Sequence, residues 1–201
     1  MFSGVDLWRN GAFAHGGVLW SPDGLGSEGF TLKVLLAGGT YYYDAGTTNV
    51  AGHQRLAAIM PGWRIKQDRL EIVFAAGPEV QQHDLDDLGN RLRGTHLGVR
   101  FGGDLWFEPS DQVMLAGAVS ITSIGWQYWS RAQAGVRVPG VGWIGPEYHM
   151  LGDGTYAQQR WGLHLTGLRT LDLEWSLGAG YLFDTAARTG PYGRVGLNVR
   201  R

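Results

Sequence analysis

The stretch 171–184, LDLEWSLGAGYLFD, sets the tightest limit on the fold. Its odd positions are all apolar: Leu171, Leu173, Trp175, Leu177, Ala179, Tyr181 and Phe183. Its even positions are Asp172, Glu174, Ser176, Gly178, Gly180, Leu182 and Asp184, polar or tiny except for Leu182. Successive side chains of a strand point to opposite faces, so a period of two makes a two-faced strand. A helix needs a period near 3.6. The stretch is longer and more charged than a typical globular strand, and it suits one whose oily face meets lipid.

Much of the chain repeats the pattern. In 69–82, Leu70, Ile72, Phe74, Ala76 and Val80 oppose Arg69, Glu71, Gly77, Glu79 and Gln81. In 91–107, Leu97, Val99, Phe101, Leu105 and Phe107 oppose His96, Gly98, Arg100, Gly102 and Asp104. In 191–200, Val195, Leu197 and Val199 oppose Arg194, Gly196, Asn198 and Arg200. Twelve strands are predicted, at 2–8, 12–21, 29–43, 52–65, 69–82, 91–107, 112–123, 127–138, 143–151, 156–166, 171–184 and 191–200. A Gly, Thr and Asn-rich loop is expected at 45–50 and an acidic one at 83–90. Fusing 2–21 into one bulged strand gives an odd count, which single-chain bacterial barrels avoid, so ten strands is the fallback. No polar linker divides residues 1–201, which reads as a single domain.

Composition narrows the class. Gly 33 and aromatic 12% beside only 17% charged residues fit an all-β chain with close backbone approaches rather than disorder. Cysteine is absent, which excludes disulfides, thiolate catalysis and Cys-ligated metals. The net charge is -1 and the basic residues do not cluster, so no nucleic-acid partner is expected. No apolar run approaches the ~20 residues of a spanning helix. No signal peptide is visible, so an exported protein implies a leader already removed.

Two architectures share this alternation. In a soluble barrel or sandwich the apolar face points inward. In a transmembrane antiparallel up-and-down barrel it points out, and charges of both signs pair inside with Gly making room for long side chains. The aromatics favour the membrane barrel. With odd strands running up, Trp20, Phe30, Trp63, Trp106, Phe107 and Trp143 fall at the lower rim. Tyr41, Tyr42, Tyr43, Trp126, Trp129, Tyr156, Tyr181, Phe183 and Tyr192 fall near the upper one. Two aromatic girdles mark two membrane interfaces. Trp106 and Tyr192 break the pattern, lying on the polar-face parity. The turns at 66–68, 108–111, 139–142 and 167–170 are short and share the lower, periplasmic rim, whereas 22–28 is a longer link there.

Several strings resemble the BcsS-type cellulose biosynthesis proteins of alphaproteobacteria: FSGVDLWRNGAF (2–13), GGVLWSPDGL (16–25), EGFTLKVLLAGG (28–39), PGWRIKQDRLEI (61–72), GNRLRGTHLGVR (89–100) and LHLTGLRTLDLEWS (163–176). They are long and run from one end to the other. The resemblance implies a bacterial outer-membrane protein associated with cellulose production and export. It carries no catalytic motif. Outer-membrane barrels often end in an aromatic residue; this chain ends Val199-Arg200-Arg201, which implies a weak assembly signal or a relaxed requirement.

A search for chemistry returns little. The histidines form neither HExxH nor HxH. Glu147 and His149 share a face and read as a satisfied lumen pair rather than metal ligands. His164 with Ser176 and Glu174 resembles a lipid-processing triad, a set that polar residues inside a barrel generate by chance. Asp84, Asp86 and Asp87 lack EF-hand spacing and read as a solvated external loop, with a divalent or lipopolysaccharide contact as the alternative. Gly16-Gly17 and Gly38-Gly39 lack the strand–loop–helix setting of a phosphate loop. No catalytic, cofactor-binding or metal residue is expected, and no cofactor.

The polar residues expected to face the lumen are Arg100, Asp104, Glu147, His149, Asp172, Glu174 and Arg194, joined by Arg55, Glu79 and Arg93. Asp172 and Glu174 are expected beside Arg194, Asn198 and Arg200. Barrels of ~8 strands are filled and those of ~16 leave a channel, so twelve charged strands predict a mostly plugged lumen or a narrow pore. The expected function is a non-enzymatic accessory to cellulose biosynthesis or export. An outer-membrane enzyme acting on lipid or polysaccharide and a small porin-like channel are the alternatives. Expected partners are outer-membrane lipid and lipopolysaccharide, with a cellulose chain or other cellulose-secretion components.

Overall fold

A computed structural model describes residues 1–45, 48–86 and 90–199. The strands are β1 (Phe2–Trp8), β2 (Gly11–Trp20), β3 (Gly29–Ala45), β4 (Thr48–Gln67), β5 (Leu70–Leu85), β6 (Gly94–Ser110), β7 (Val113–Thr122), β8 (Tyr128–Val138), β9 (Gly142–Gly152), β10 (Ala157–Thr170), β11 (Leu173–Asp184) and β12 (Thr189–Val199). Each pairs antiparallel with its sequence neighbours, and β1 pairs with β12 to close the barrel. Among the described residues there is no helix. The all-β class, the strand count and the up-and-down order are those the sequence predicts.

The strand ends differ in instructive ways. Residues 48–50, expected in a loop, continue the β3–β4 ladder as far as Ala45↔Thr48. β6 begins at Gly94 rather than at residue 91. The Asn90 side chain accepts a hydrogen bond from the Leu92 amide (3.0 Å), and the Arg93 amide donates to the Asn90 carbonyl (3.1 Å), which folds this segment into a turn. β11 begins at Leu173, because Leu171 adopts a left-handed φ of 57° in the preceding turn. The end of the acidic run, Asp87, and the terminal Arg200 and Arg201 lie outside the described residues.

Period-two alternation becomes an oily exterior and a polar interior. Leu97 (83% exposed), Leu163 (65%), Leu36 (60%) and Val119 (59%) point outward with no side-chain cover. Thr31, Gln81, His149, Arg160 and Glu147 point inward and are buried. That is the reverse of a soluble barrel. Part of the interior is apolar: Ala58, Met60 and Ala75 form a buried cluster with Leu35 packed on them, and Leu56, Val73 and Met114 are buried as well.

The aromatic belts are cleaner than the sequence count. Outward-facing Trp20, Phe30, Trp63 and Phe107 ring the rim that carries both chain ends, and Tyr42, Tyr181 and Phe183 ring the other. Trp161 and Tyr148, absent from the expected girdles, stack outward with centroids 4.4 Å apart. Trp106, Trp129, Trp143 and Tyr192 belong to neither belt: their parity turns them inward.

The wall is uneven. β3 to β6 have 17, 20, 16 and 17 residues, whereas β1 has 7 and β7 has 10. At the rim away from the chain ends, Asp184 braces the 185–188 turn, accepting from Arg188 Nε (2.9 Å) and from the Tyr156 hydroxyl (3.1 Å). Burial, helped by the Asp184 carboxylate, pushes the Tyr156 phenol up to about 12.

The exposed belt makes a direct prediction. Leu163→Arg on the outer face should destabilise the folded barrel in lipid by about 2–4 kcal/mol if placed near the bilayer midplane. Urea unfolding of liposome-inserted protein measures it, and Arg at an equally exposed rim position should cost much less.

Candidate functional site

The interior chemistry gathers around two buried carboxylates. Glu147 projects from β9, which also places His149 on the inner face. Arg194 from β12 grips Glu147 Oε2 through Nε (2.9 Å) and Nη2 (2.5 Å). The Tyr192 hydroxyl donates to Oε1 (2.9 Å), and the Gln133 amide of β8 donates to Oε2 (3.1 Å). His149 Nε2 stands 3.4 Å from Oε1. One carboxylate therefore joins β8, β9 and β12.

Glu79 of β5 does the same for β5, β6 and β7. Arg100 of β6 donates to Oε1 through Nε (2.9 Å) and Nη2 (2.5 Å). The Thr122 hydroxyl of β7 donates to Oε2 (2.5 Å), and Gln81 donates to Oε1 (2.9 Å). Gln81 in turn accepts from Gln54, which also donates to Gln127. On the β3–β6 side of the barrel, Lys33 of β3 reaches Asp104 of β6 at 3.1 Å. This pair skips β4 and β5, so it crosses the interior. Arg160 of β10 lies over the Trp8 ring at 4.7 Å and faces Asp6 at 3.7 Å.

Glycine is what makes the Glu147 centre fit. A Cβ on Gly178 would overlap both the Glu147 carboxylate and the Arg194 guanidinium. A Cβ on Gly162 would overlap the Tyr192 hydroxyl. Small residues on the polar parity thus leave the volume that long charged side chains fill.

Of the residues the sequence places in the lumen, Glu147, His149 and Arg194 meet in one cluster and Arg100 joins Glu79 in the other. Asp104 pairs with Lys33. Glu174 points inward near the rim of the chain ends, where Arg169 stands at 3.5 Å; it pairs in register with Asn198, as expected, whereas Arg194 lies opposite Gly178. Asp172 sits exposed in the β10–β11 turn, off the strand, because the left-handed Leu171 ends the alternation there. Arg55 faces outward, since Leu56, Ala58 and Met60 take the inner face of β4. Arg93 is exposed in the turn before β6. Missed from the sequence were Lys33, Arg131, Gln133 and Arg160. Their signal was present as Arg131 and Gln133 alternating with Ala132 and Ala134 in β8.

The triad does not assemble. His164 Nδ1 bonds Thr166 Oγ1 (3.0 Å) and Nε2 bonds the Ala134 carbonyl (3.1 Å). Ser176 accepts from Arg194 Nη1 (2.8 Å) and shares a hydrogen bond with Thr166 (3.1 Å). Both ring nitrogens are occupied and neither reaches the serine. No group of three His, Cys, Asp or Glu side chains among the described residues is arranged to hold a metal ion.

A closed antiparallel barrel of twelve strands, apolar outside and polar within, has the architecture of outer-membrane porin-like barrels. The solved KdgM porin is similar at a TM-score of 0.55 and 10% identity, covering 100% of this chain and 98% of that one. KdgM porin in complex with disordered oligogalacturonate gives 0.50 and 11%, covering 100% and 98%. The transport unit of the autotransporter AIDA-I from Escherichia coli gives 0.54 and 11%, covering 100% and 89%. No curated protein sequence matches the chain. The family model for cellulose biosynthesis protein BcsS matches residues 1–201, and the chain belongs to that family.

The Glu147 centre has a measurable signature. Glu147→Ala leaves Arg194 buried without its carboxylate and should cost about 3–5 kcal/mol of stability. Glu147→Leu with Arg194→Leu should recover much of that loss. Denaturant unfolding of the single and double variants checks the non-additivity.

Proposed function

We propose that residues 1–201 act as one non-enzymatic outer-membrane barrel domain that assists cellulose export, or cellulose assembly at the cell surface, with a lumen closed by its own side chains. Family membership supports the role in cellulose biosynthesis. The observation that carries the closed lumen is the pair of carboxylate centres. Glu147 and Glu79 bind donors from neighbouring strands, and the Lys33–Asp104 pair ties β3 to β6 across the inside of β4 and β5. Conduction would require parting buried charge pairs, at a cost of several kcal/mol per ion.

The exposed belts fit outer-membrane lipid and lipopolysaccharide as surroundings, with the rim of the chain ends in the periplasm. The occupied nitrogens of His164 support a role without catalysis. In this reading the barrel works through its rims, by docking other cellulose-secretion components or the polymer itself.

One observation favours a porin-like channel instead. Asp104 keeps 49% of its side chain exposed although it faces the interior, so water reaches that part of the lumen. The KdgM porin neighbours share the fold. Planar-bilayer recording separates the two readings: purified protein should give no unitary conductance, and steady channel currents would overturn the closed lumen. Deleting the gene should lower secreted cellulose, measured by glucan-specific staining and acid hydrolysis. Unchanged cellulose would remove the accessory role.

A further inference from the structure

Trp106 and Trp143 break the girdle parity at the rim of the chain ends, and they meet there. Their rings pack edge to face with centroids 6.5 Å apart. They line a cleft of about 620 Å³ at the barrel mouth, walled by the ends of β4, β5, β6, β8, β9, β10 and β11. That volume lies within the ~300–1,000 Å³ of small-ligand clefts. We propose that this vestibule binds a neutral, hydroxyl-rich glucan chain, with Trp106 as the stacking surface.

Three observations point to that ligand class. The first is the aromatic placement. Trp143 is buried, and the Arg137 guanidinium covers its ring at 4.1 Å, whereas Trp106 stays partly exposed beside it. An indole face gives the C–H face of a pyranose an apolar surface, and its polar edge is already engaged: Trp106 Nε1 donates to Glu108 (2.9 Å). The second is charge balance. The lining carries four basic and four acidic side chains, so no net field draws an ion into the cleft.

The third is the state of those charges. Arg137 reaches Glu108 at 3.2 Å, with 44% and 30% of their side chains exposed. Arg169 stands 3.5 Å from Glu174 across the cleft wall. Paired carboxylates and guanidiniums at a wet surface retain unused lone pairs and N–H groups, which suit the alternating donors and acceptors of sugar hydroxyls. Deeper in, Met114 and His164 are buried, and the chain would be held at the rim.

This inference rests on the reading of the barrel as a cellulose accessory, and two measurements keep the fates of the two apart. The first titrates cellohexaose into the detergent-solubilised full chain by calorimetry, with maltohexaose and oligogalacturonate as comparison ligands. Cellohexaose should bind saturably and oligogalacturonate should not. Trp106→Ala should weaken cellohexaose by roughly tenfold or more, the loss expected for an aromatic anchor. Glu108→Gln and Arg169→Ala should each weaken it several-fold, and outward-facing Trp161→Leu should not change it.

Heat-modifiable gel mobility identifies the folded variants, and Arg169, largely exposed, provides a variant that does not disturb the packing of the two indoles. Absent binding, equal binding by folded Trp106→Ala and Arg169→Ala, or a preference for oligogalacturonate overturns the proposal. The second measurement returns these variants to the deletion strain. If deletion lowers cellulose and the folded variants restore it fully, the vestibule is refuted and the accessory role stands. If deletion leaves cellulose unchanged, the accessory role fails, while calorimetry still decides what the vestibule binds.

Discussion

Closure of the sheet is the constraint on which everything else depends. A strand with lipid on one side has no water to satisfy its amides, so each must find a partner in the wall. β1 is the shortest strand, with 7 residues, and it completes the ring. It pairs from Phe2↔Asn198 to Trp8↔Tyr192 on one flank and from Phe2↔Gly17 to Trp8↔Gly11 on the other. Those few residues remove both edges at once. Closure also decides polarity, because the interior is then the one place where Arg and Glu are shielded from hydrocarbon.

Shielding from lipid is not hydration, and the interior charges must satisfy each other. Arg194, Tyr192 and Gln133 surround Glu147 with donors, and Arg100, Thr122 and Gln81 do so for Glu79. The space they occupy exists because Gly178 and Gly162 have no side chain. The glycine content that fits an all-β chain is used largely inside strands. The sparse charge of the chain is likewise concentrated where each ion finds a partner.

Strand number, order and most faces were legible in the sequence because alternation is local. In β6 and β11 the large aliphatic residues keep to one parity except for Leu182, Leu97, Val99 and Leu105 in β6 and Leu173 and Leu177 in β11, so the faces could be read. In β4 it could not. Ala57 and Ile59 face out while Leu56, Ala58 and Met60 face in, so both faces are apolar and Arg55 gave no clue that it points outward. Partners across the lumen were illegible for a different reason. That Arg194 meets Glu147 rather than Glu174 follows from ring closure and register, which no single strand encodes. The turn at Leu171 was hidden because a left-handed residue can sit in an unbroken alternating string.

The two mouths of the barrel are built differently, and that difference bears on where function lies. Away from the chain ends, Ile124 folds inward over Gly98, and Val50 and Leu85 are buried under the tall β3–β6 wall. At the rim of the chain ends, the long link is drawn toward the wall: Arg64 donates to the Leu25 carbonyl and Lys66 to that of Gly26 (2.8 Å). Arg64 points inward from β4, so the link leans over that side of the mouth. What it leaves uncovered is the stretch lined by Trp106, Glu108, Arg137 and Glu174. At this rim, exposed charge pairs and a partly exposed indole stand together at the mouth. A barrel that binds a glucan chain as proposed would handle it at this entrance.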